Sequence, residues 1–425
     1  MDRSKDHVSI DLKKLADSLR GKFETLYPLS ENCCIYRVPP KIRMLNERLY
    51  TPRMVSIGPF HHGSKELKAM EEHKLRYLQQ FLRRTSVTME DFLMLIKGEE
   101  ANLRNCYAET INFGSEEFVE MILLDAVFLI EILLRDIPEF ISVDRIFTRP
   151  GMLRDIVLDI MLLENQLPIF ILEALFKLAN PALPGRYKGY SLSQFTCSFF
   201  NNIWKDILID EKLLESYFPE ARHFVDLLRL LLQPPKRDDT ERQTDSEAAP
   251  SVTKLHQAGI KFKLASPTKN LLDITYSKGT LEISKLTVGN MTVHLLRNLQ
   301  IFEALHCDTN YINDYAVVLN RFLNSTKDVE LLIHTGVIEN RIMDSEGVST
   351  LFRELSRDAR IQHSNFYYSG LVKDLQDYCK SPCHKWKANL KQNYFNTPWA
   401  SISVAAAVII LVLTFIQAVC SIIGL

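Results

Sequence analysis

Hydrophobic and polar positions along this chain follow two periods, and the helical one dominates the first half. From Lys65 to Leu82, Leu67, Met70, Leu75, Leu78 and Leu82 recur near helical spacing with Glu and Lys on the other face, which predicts an amphipathic helix. Ser115 followed by Glu116 and Glu117 reads as an N-cap with acids in the first turn, where the helix dipole favours negative charge. It opens a predicted helix over Phe118 to Arg135. Met121 to Leu134 and Ile156 to Leu175 are apolar nearly all round, the pattern of central helices covered by others, with Pro168 breaking or kinking the second after Leu167.

Period-two alternation enters later. Gly259 to Ala265 alternates, and Leu272 to Leu286 gives two alternating runs around Ser277-Lys278-Gly279, a hairpin signal. Thr292 to His306, Asn310 to Leu323, Asp328 to His334 and Ser345 to Ile361 return to helical spacing. The expected fold class is mainly α: a multi-helix body with one small antiparallel β hairpin or sheet and a C-terminal transmembrane helix. Between the halves, 234–250 is rich in charge and Pro and has no aliphatic side chain larger than Ala, so it cannot offset its ordering entropy and reads as a flexible linker. The expected division is therefore an N-terminal segment at 1–30, a helical half at 31–233, the linker at 234–250, a half carrying the small sheet at 251–395 and a tail at 396–425.

That tail carries the strongest pattern. No Asp, Glu, Lys or Arg follows Lys391, and Ile402 to Ile423 is apolar except for Ser403, Thr414, Gln417 and Ser421. At about 1.5 Å per residue the run would reach about 33 Å, against a hydrocarbon core of about 30 Å. Trp399 stands where an indole prefers the interface, and Lys385, Lys387 and Lys391 precede it. The expectation is a single-pass tail anchor inserted after translation, marked by Trp399, Ile402 and Ile423, with the lipid bilayer as a partner and the body cytosolic. The plasma membrane is the favoured membrane. The sequons at Asn290 and Asn324 argue weakly for the opposite orientation, and Met1 to Lys14 lacks the apolar core of a signal peptide.

Composition narrows the classes. The 425 residues suggest two or three units, and 46% hydrophobic with 24% charged residues is ordinary for globular protein. A net charge of -1 gives no footprint for a nucleic-acid binder, so nucleic acid is not an expected partner. The eight cysteines lack regular spacing and read as reduced thiols, Cys33-Cys34 included. Charge is uneven within the first half: Tyr36 to Lys97 holds 12 basic and 6 acidic residues, Glu99 to Glu173 holds 5 and 15. The two pieces should attract each other, and docking within the chain is favoured over a partner.

Candidate chemistry is thin. Asp125, Glu131, Asp159 and Glu164 interrupt apolar helices and, buried, could serve as general acid and base. Asp125 and Glu131 lie about 120° apart around a helix and form no dyad. The favoured reading gives each a cation or backbone donor from the basic segment. His61, His62 and His73 sit near Glu71 and Glu72 without a zinc-ligand pattern, and Cys379, Cys383 and His384 lack a fourth ligand. Nucleotide loops and a nucleophile elbow are absent, so no cofactor, metal or catalytic residue is assigned. Glu164-Asn165-Gln166-Leu167-Pro168, with Asp159, is expected to organise the core, because a carboxylate and two amides before a Pro can satisfy the groups its kink frees.

Several peptides together carry a resemblance. Ile35-Tyr36-Arg37-Val38-Pro39, Tyr50-Thr51-Pro52, Val55-Ser56-Ile57-Gly58-Pro59-Phe60-His61-His62-Gly63 and Met70-Glu71 before Lys74 resemble the opening signature of the plant family catalogued as domain of unknown function 247. Asp159-Ile160-Met161-Leu162-Leu163-Glu164-Asn165-Gln166-Leu167-Pro168 is similar to its central motif. Ala258-Gly259-Ile260-Lys261-Phe262, Leu271-Leu272-Asp273-Ile274, Arg297-Asn298-Leu299, Phe302-Glu303, Tyr394-Phe395 and Pro398-Trp399 follow in the family's order. Asp125-Ala126-Val127-Phe128 departs from the usual Asp-Gly-Cys-Phe-like peptide. The resemblance implies a plant membrane protein without established enzymatic activity. The expected function is a membrane-anchored recognition or signalling component that binds an unknown protein partner, its oligomeric state open. The alternative is an enzyme with an unlisted site using His61, His62, Asp159 and Glu164.

Overall fold

Residues 115–134 leave no polar stripe wide enough for water, and in the computed structural model they form a helix buried on nearly every side. The structure describes residues 11–24, 30–136, 144–180, 185, 187, 189–204, 209–235, 249–266, 270–359, 366–381 and 398–424. The expected linker lies largely outside them, as do Lys385, Lys387, Lys391, Cys383 and His384. The chain divides into two compact units, Met1–Phe199 with Leu214–Leu227 and Phe200–Leu213 with Leu228–Leu425.

In the first unit, α1 (Leu12–Glu24) precedes α2 (Lys68–Arg84), α3 (Met89–Gly98), α4 (Glu100–Asn105) and α5 (Ser115–Leu134). Then come α6 (Pro150–Ile160) and α7 (Ile169–Ala179). Helix α5 is the axis, packed by α2, α3 and α7. Its first residue is Ser115, with Gly114 at the cap position. The Ser115 hydroxyl donates instead to Glu100 Oε2 at 2.6 Å. The apolar run expected to continue to Leu167 leaves the helix after Ile160, seven residues before that point. Gln166 Nε2 takes the carbonyls of Ile160 and Leu162 at 2.6 and 2.8 Å, so a side chain completes acceptors that a continuing helix would have used.

In the second unit, α8 (Val252–Gln257) leads into β1 (Lys261–Leu264), β2 (Ile274–Ser277), β3 (Thr280–Ile283) and β4 (Leu286–Val288). Strands β2 and β3 form the expected antiparallel hairpin. Its two turn residues, Lys278 and Gly279, have φ of 47° and 76°, the left-handed pair that matches strand twist. Strand β1 joins β3 in parallel, and β4 pairs in parallel with β5 (Ile338–Asn340). The single antiparallel sheet expected from alternation is thus two small sheets with parallel pairs, since alternation marks strands but not their partners. Helices α9 (Asn290–His306), α10 (Tyr311–Phe322), α11 (Thr326–His334), α12 (Ser345–Asp358) and α13 (Ser369–Lys380) complete the core, with α10 and α11 packed on α12.

The tail requires a correction. The run is helical, α14 (Pro398–Ile423), but among the described residues no helix is long and apolar enough to cross a membrane. The expected C-terminal transmembrane helix, the single-pass tail anchor and the localisation at a membrane are withdrawn with it. Trp399, Ile402 and Ile423 lie on α14.

Candidate functional site

Between Cys34 and Gly63 the chain forms only short helical turns, at Pro40–Arg43 and Glu47–Leu49, so most of its backbone groups need partners other than a ladder. The segment 159–166 supplies them. Asp159, at the end of α6, accepts from the N–H groups of Arg53 at 2.9 Å, Met54 at 2.7 Å and Val55 at 2.9 Å. Asn165 accepts from the N–H of Ile57 at 2.7 Å and donates to the carbonyls of Val55 and Asp159, both at 3.0 Å. The carbonyl of Gln166 accepts from the Tyr107 hydroxyl at 3.1 Å. Pro168 sits at the cap position of α7, and the N–H of Ile169 donates to the Arg222 carbonyl at 2.8 Å.

Glu164 gathers charge. Its Oε1 accepts from the Val38 N–H at 2.6 Å and pairs with Arg43, while Oε2 lies 3.1 Å from His61 Nε2 and 3.8 Å from Arg37. Burial opposes its charge, but His61 at 3.1 Å, the Val38 N–H and the Arg43 guanidinium outweigh burial and hold the carboxyl below its ordinary value. Asp159 has three backbone donors and the Arg53 charge in its favour, but burial outweighs them and pushes its carboxyl up to about 6.

Behind this loop, Lys74 of α2 is fully buried. Its ammonium donates to the Ser56 carbonyl at 2.7 Å and pairs with Asp125 and Glu71, each at 2.6 Å. Burial works against its charge, and the two carboxylates more than reverse that, so Lys74 stays cationic. Asp125 also accepts from the Gly58 N–H at 2.8 Å. Glu131 pairs with Arg84 and with Arg135 Nε, the latter at 2.6 Å. Lys74–Asp125, Arg84–Glu131 and Arg43–Glu164 thus join the basic and acidic pieces. Gly58 has φ of 73°, and a Cβ there would lie 2.6 Å from the Gln166 carbonyl oxygen. Only glycine fits that approach.

The structure separates the three histidines. His61 faces Glu164, the His62 ring packs edge-on against Phe113 with centroids 5.4 Å apart, and His73 is half-exposed on α2, its pKa lowered by burial and by Arg76. Among the described residues no three His, Cys, Asp or Glu side chains are grouped to hold a metal. Sequence patterns did not single out Cys106 or Arg222. Both line a cavity of about 420 Å³ with Cys34, Asn32, Asn102 and Phe170, assembled from segments far apart in the chain. Neither His61, Asp159 nor Glu164 lines that cavity.

Comparison with known proteins covers nearly the whole chain. A family model described as plant protein of unknown function, domain of unknown function 247, matches residues 35–413. A UPF0481 protein of Arabidopsis thaliana is 30% identical, the alignment covering 93% of this chain and 87% of the relative. A putative UPF0481 protein of the same plant is 23% identical over 90% of this chain and 89% of its own length. No solved structure matches.

Proposed function

The chain belongs to the plant family catalogued as domain of unknown function 247, and on that premise we infer that it works by binding another protein, as a recognition or signalling component, rather than by turning over a substrate. One observation carries this reading: Asp159 and Glu164 are spent on backbone N–H groups and cations of the 37–61 segment, and His61 on Glu164. A general acid or base must reach a substrate proton; both oxygens of Asp159 are taken by backbone donors, and Glu164, 1% exposed, is enclosed by Val38, Arg43, Arg37 and His61. What those bonds yield is a fixed irregular loop. Met44 and Leu45, 82% and 58% exposed, stand beside the Arg43–Glu164 pair on that loop. Apolar side chains held out from a rigid segment are what a partner protein can bury.

The test compares proximity labelling in plant cells by the full chain and by the double variant Met44→Asp, Leu45→Asp. Because both side chains face solvent, the melting temperature should hold while specific partners disappear. Turnover of a small substrate by the purified chain, lost in His61→Asn with melting unchanged, would overturn the reading in favour of an enzyme.

A further inference from the structure

Cys34 and Cys106 are 72 positions apart in sequence and adjacent in space. The N–H groups of Cys34 and Ile35 both donate to the Cys106 carbonyl at 2.9 Å, and Ala108 N–H donates to the Ile35 carbonyl at 2.9 Å. Ile35 and Tyr107 form a parallel bridge, so the two cysteines face each other one step before it. Chains paired in this way lie about 4.8 Å apart, within the Cα separation of roughly 4.4–6.8 Å that a disulfide accepts. The two thiols are close enough to shift each other's protonation, and both are free. Both are buried, yet both line the cavity of about 420 Å³ together with Arg222.

The two thiols are unequal. The neighbouring Cys34 thiol favours the Cys106 thiolate, burial opposes it, and Arg222 adds to the lowering, so Cys106 falls below the ordinary thiol value. In its thiol form Cys106 donates to the Asn102 carbonyl at 3.3 Å. Cys34 is raised, first by the adjacent Cys106 and then by burial. The Arg222 guanidinium, which lowers Cys106 and lines the same cavity, favours Cys106 as the attacking sulfur.

We propose that Cys34 and Cys106 form a two-cysteine oxidation site that takes a small hydroperoxide through this cavity and closes to a disulfide. The Cys106 thiolate attacks the terminal peroxide oxygen. An S–O bond forms, the O–O bond breaks, and the departing alkoxide or hydroxide takes up the proton Cys106 released. The Cys34 sulfur then displaces the hydroxyl of the Cys106 sulfenic acid, the S–S bond forms, and the Cys34 proton leaves with that hydroxyl as water. Two thiols lose two electrons and the hydroperoxide becomes alcohol and water, or two waters from hydrogen peroxide. Cys33, half-buried beside Cys34, is a poorer partner because adjacent cysteines close only a strained ring. This site does not depend on the partner-binding role.

The reduced full chain is exposed to hydrogen peroxide, its remaining thiols are alkylated after unfolding, and its peptides are weighed. The expected product is a Cys34–Cys106 cross-linked peptide that dithiothreitol reverses, with Cys34→Ser leaving a dimedone-reactive sulfenic acid at Cys106. Recovery of both thiols alkylated after peroxide, or a Cys33–Cys34 bond in place of the cross-link, overturns the proposal. If the Ser variant fails to fold, the peptides of the wild-type chain alone decide between these outcomes.

Discussion

Replacing Glu164 by Gln keeps the shape of the side chain and removes its charge, which isolates what the carboxylate does for the loop around it. The Val38 N–H bond at 2.6 Å survives as a neutral bond. Since a charge-assisted bond is about twice as strong as a neutral one, this loses about 1 kcal/mol. The new amide nitrogen replaces an oxygen that faces His61 and Arg37, and Arg43 loses a buried partner. Removing one member of a buried pair costs about 3–5 kcal/mol when the other is sealed from water. Arg43 is 24% exposed and recovers some hydration, so a total of about 2–3 kcal/mol is expected. For a unit of about 200 residues that lowers the melting temperature by about 5–10 °C. The sign with pH follows from the depressed carboxyl: its stabilisation is complete above the ordinary value of 4.5 and is lost as pH falls through the lower folded value. Denaturant unfolding of wild type and variant should show a constant gap from pH 7 to about 5 that narrows below 4.5. A gap under about 0.5 kcal/mol at pH 7, or one undiminished in acid, would refute the reasoning.

Two further outcomes test other parts of the molecule. Gly58→Ala forces a Cβ to 2.6 Å from a carbonyl oxygen at φ of 73° and should cost about 3 kcal/mol or more, whereas Gly63→Ala, at φ of 78° with open space, should cost only about 1 kcal/mol; equal urea midpoints would contradict the close approach. In the second unit Asp314 is pushed up to about 7 by burial and by the Glu303 charge, against the Tyr367 N–H at 2.7 Å. Its contribution is therefore full below the ordinary 3.8 and lost as pH rises through about 7. Asp314→Asn, which keeps the acceptor for Tyr367, should lessen the fall of stability between pH 4 and 8, to which Glu303, also raised to about 7, still contributes, and stabilise the chain by about 1–3 kcal/mol at pH 8, read from unfolding midpoints; a destabilised variant at pH 8 would show that the charge is needed.

The periodicities were enough to place the buried helix α5, the hairpin at Lys278-Gly279 and the four helices between Asn290 and Asp358, because each depends on neighbours within a few residues. Hydropathy alone misled at the tail and between Ile160 and Pro168. In the latter, an apolar run reads as continuous helix until one sees Gln166 and Asn165 bonded to backbone carbonyls and to the loop 34–63. The peptides that carry the family resemblance are visible in sequence, but not why they belong together: Asp159 meets Arg53, and Glu164 meets Val38, only after more than a hundred residues of chain have folded. The pairing of Cys34 with Cys106 is of the same kind. Residue types and local spacing determine which segments form helices and turns, whereas the partner of a buried charge, carbonyl or thiol is chosen by packing of distant segments, where leaving such a group alone costs more than any local preference can offset.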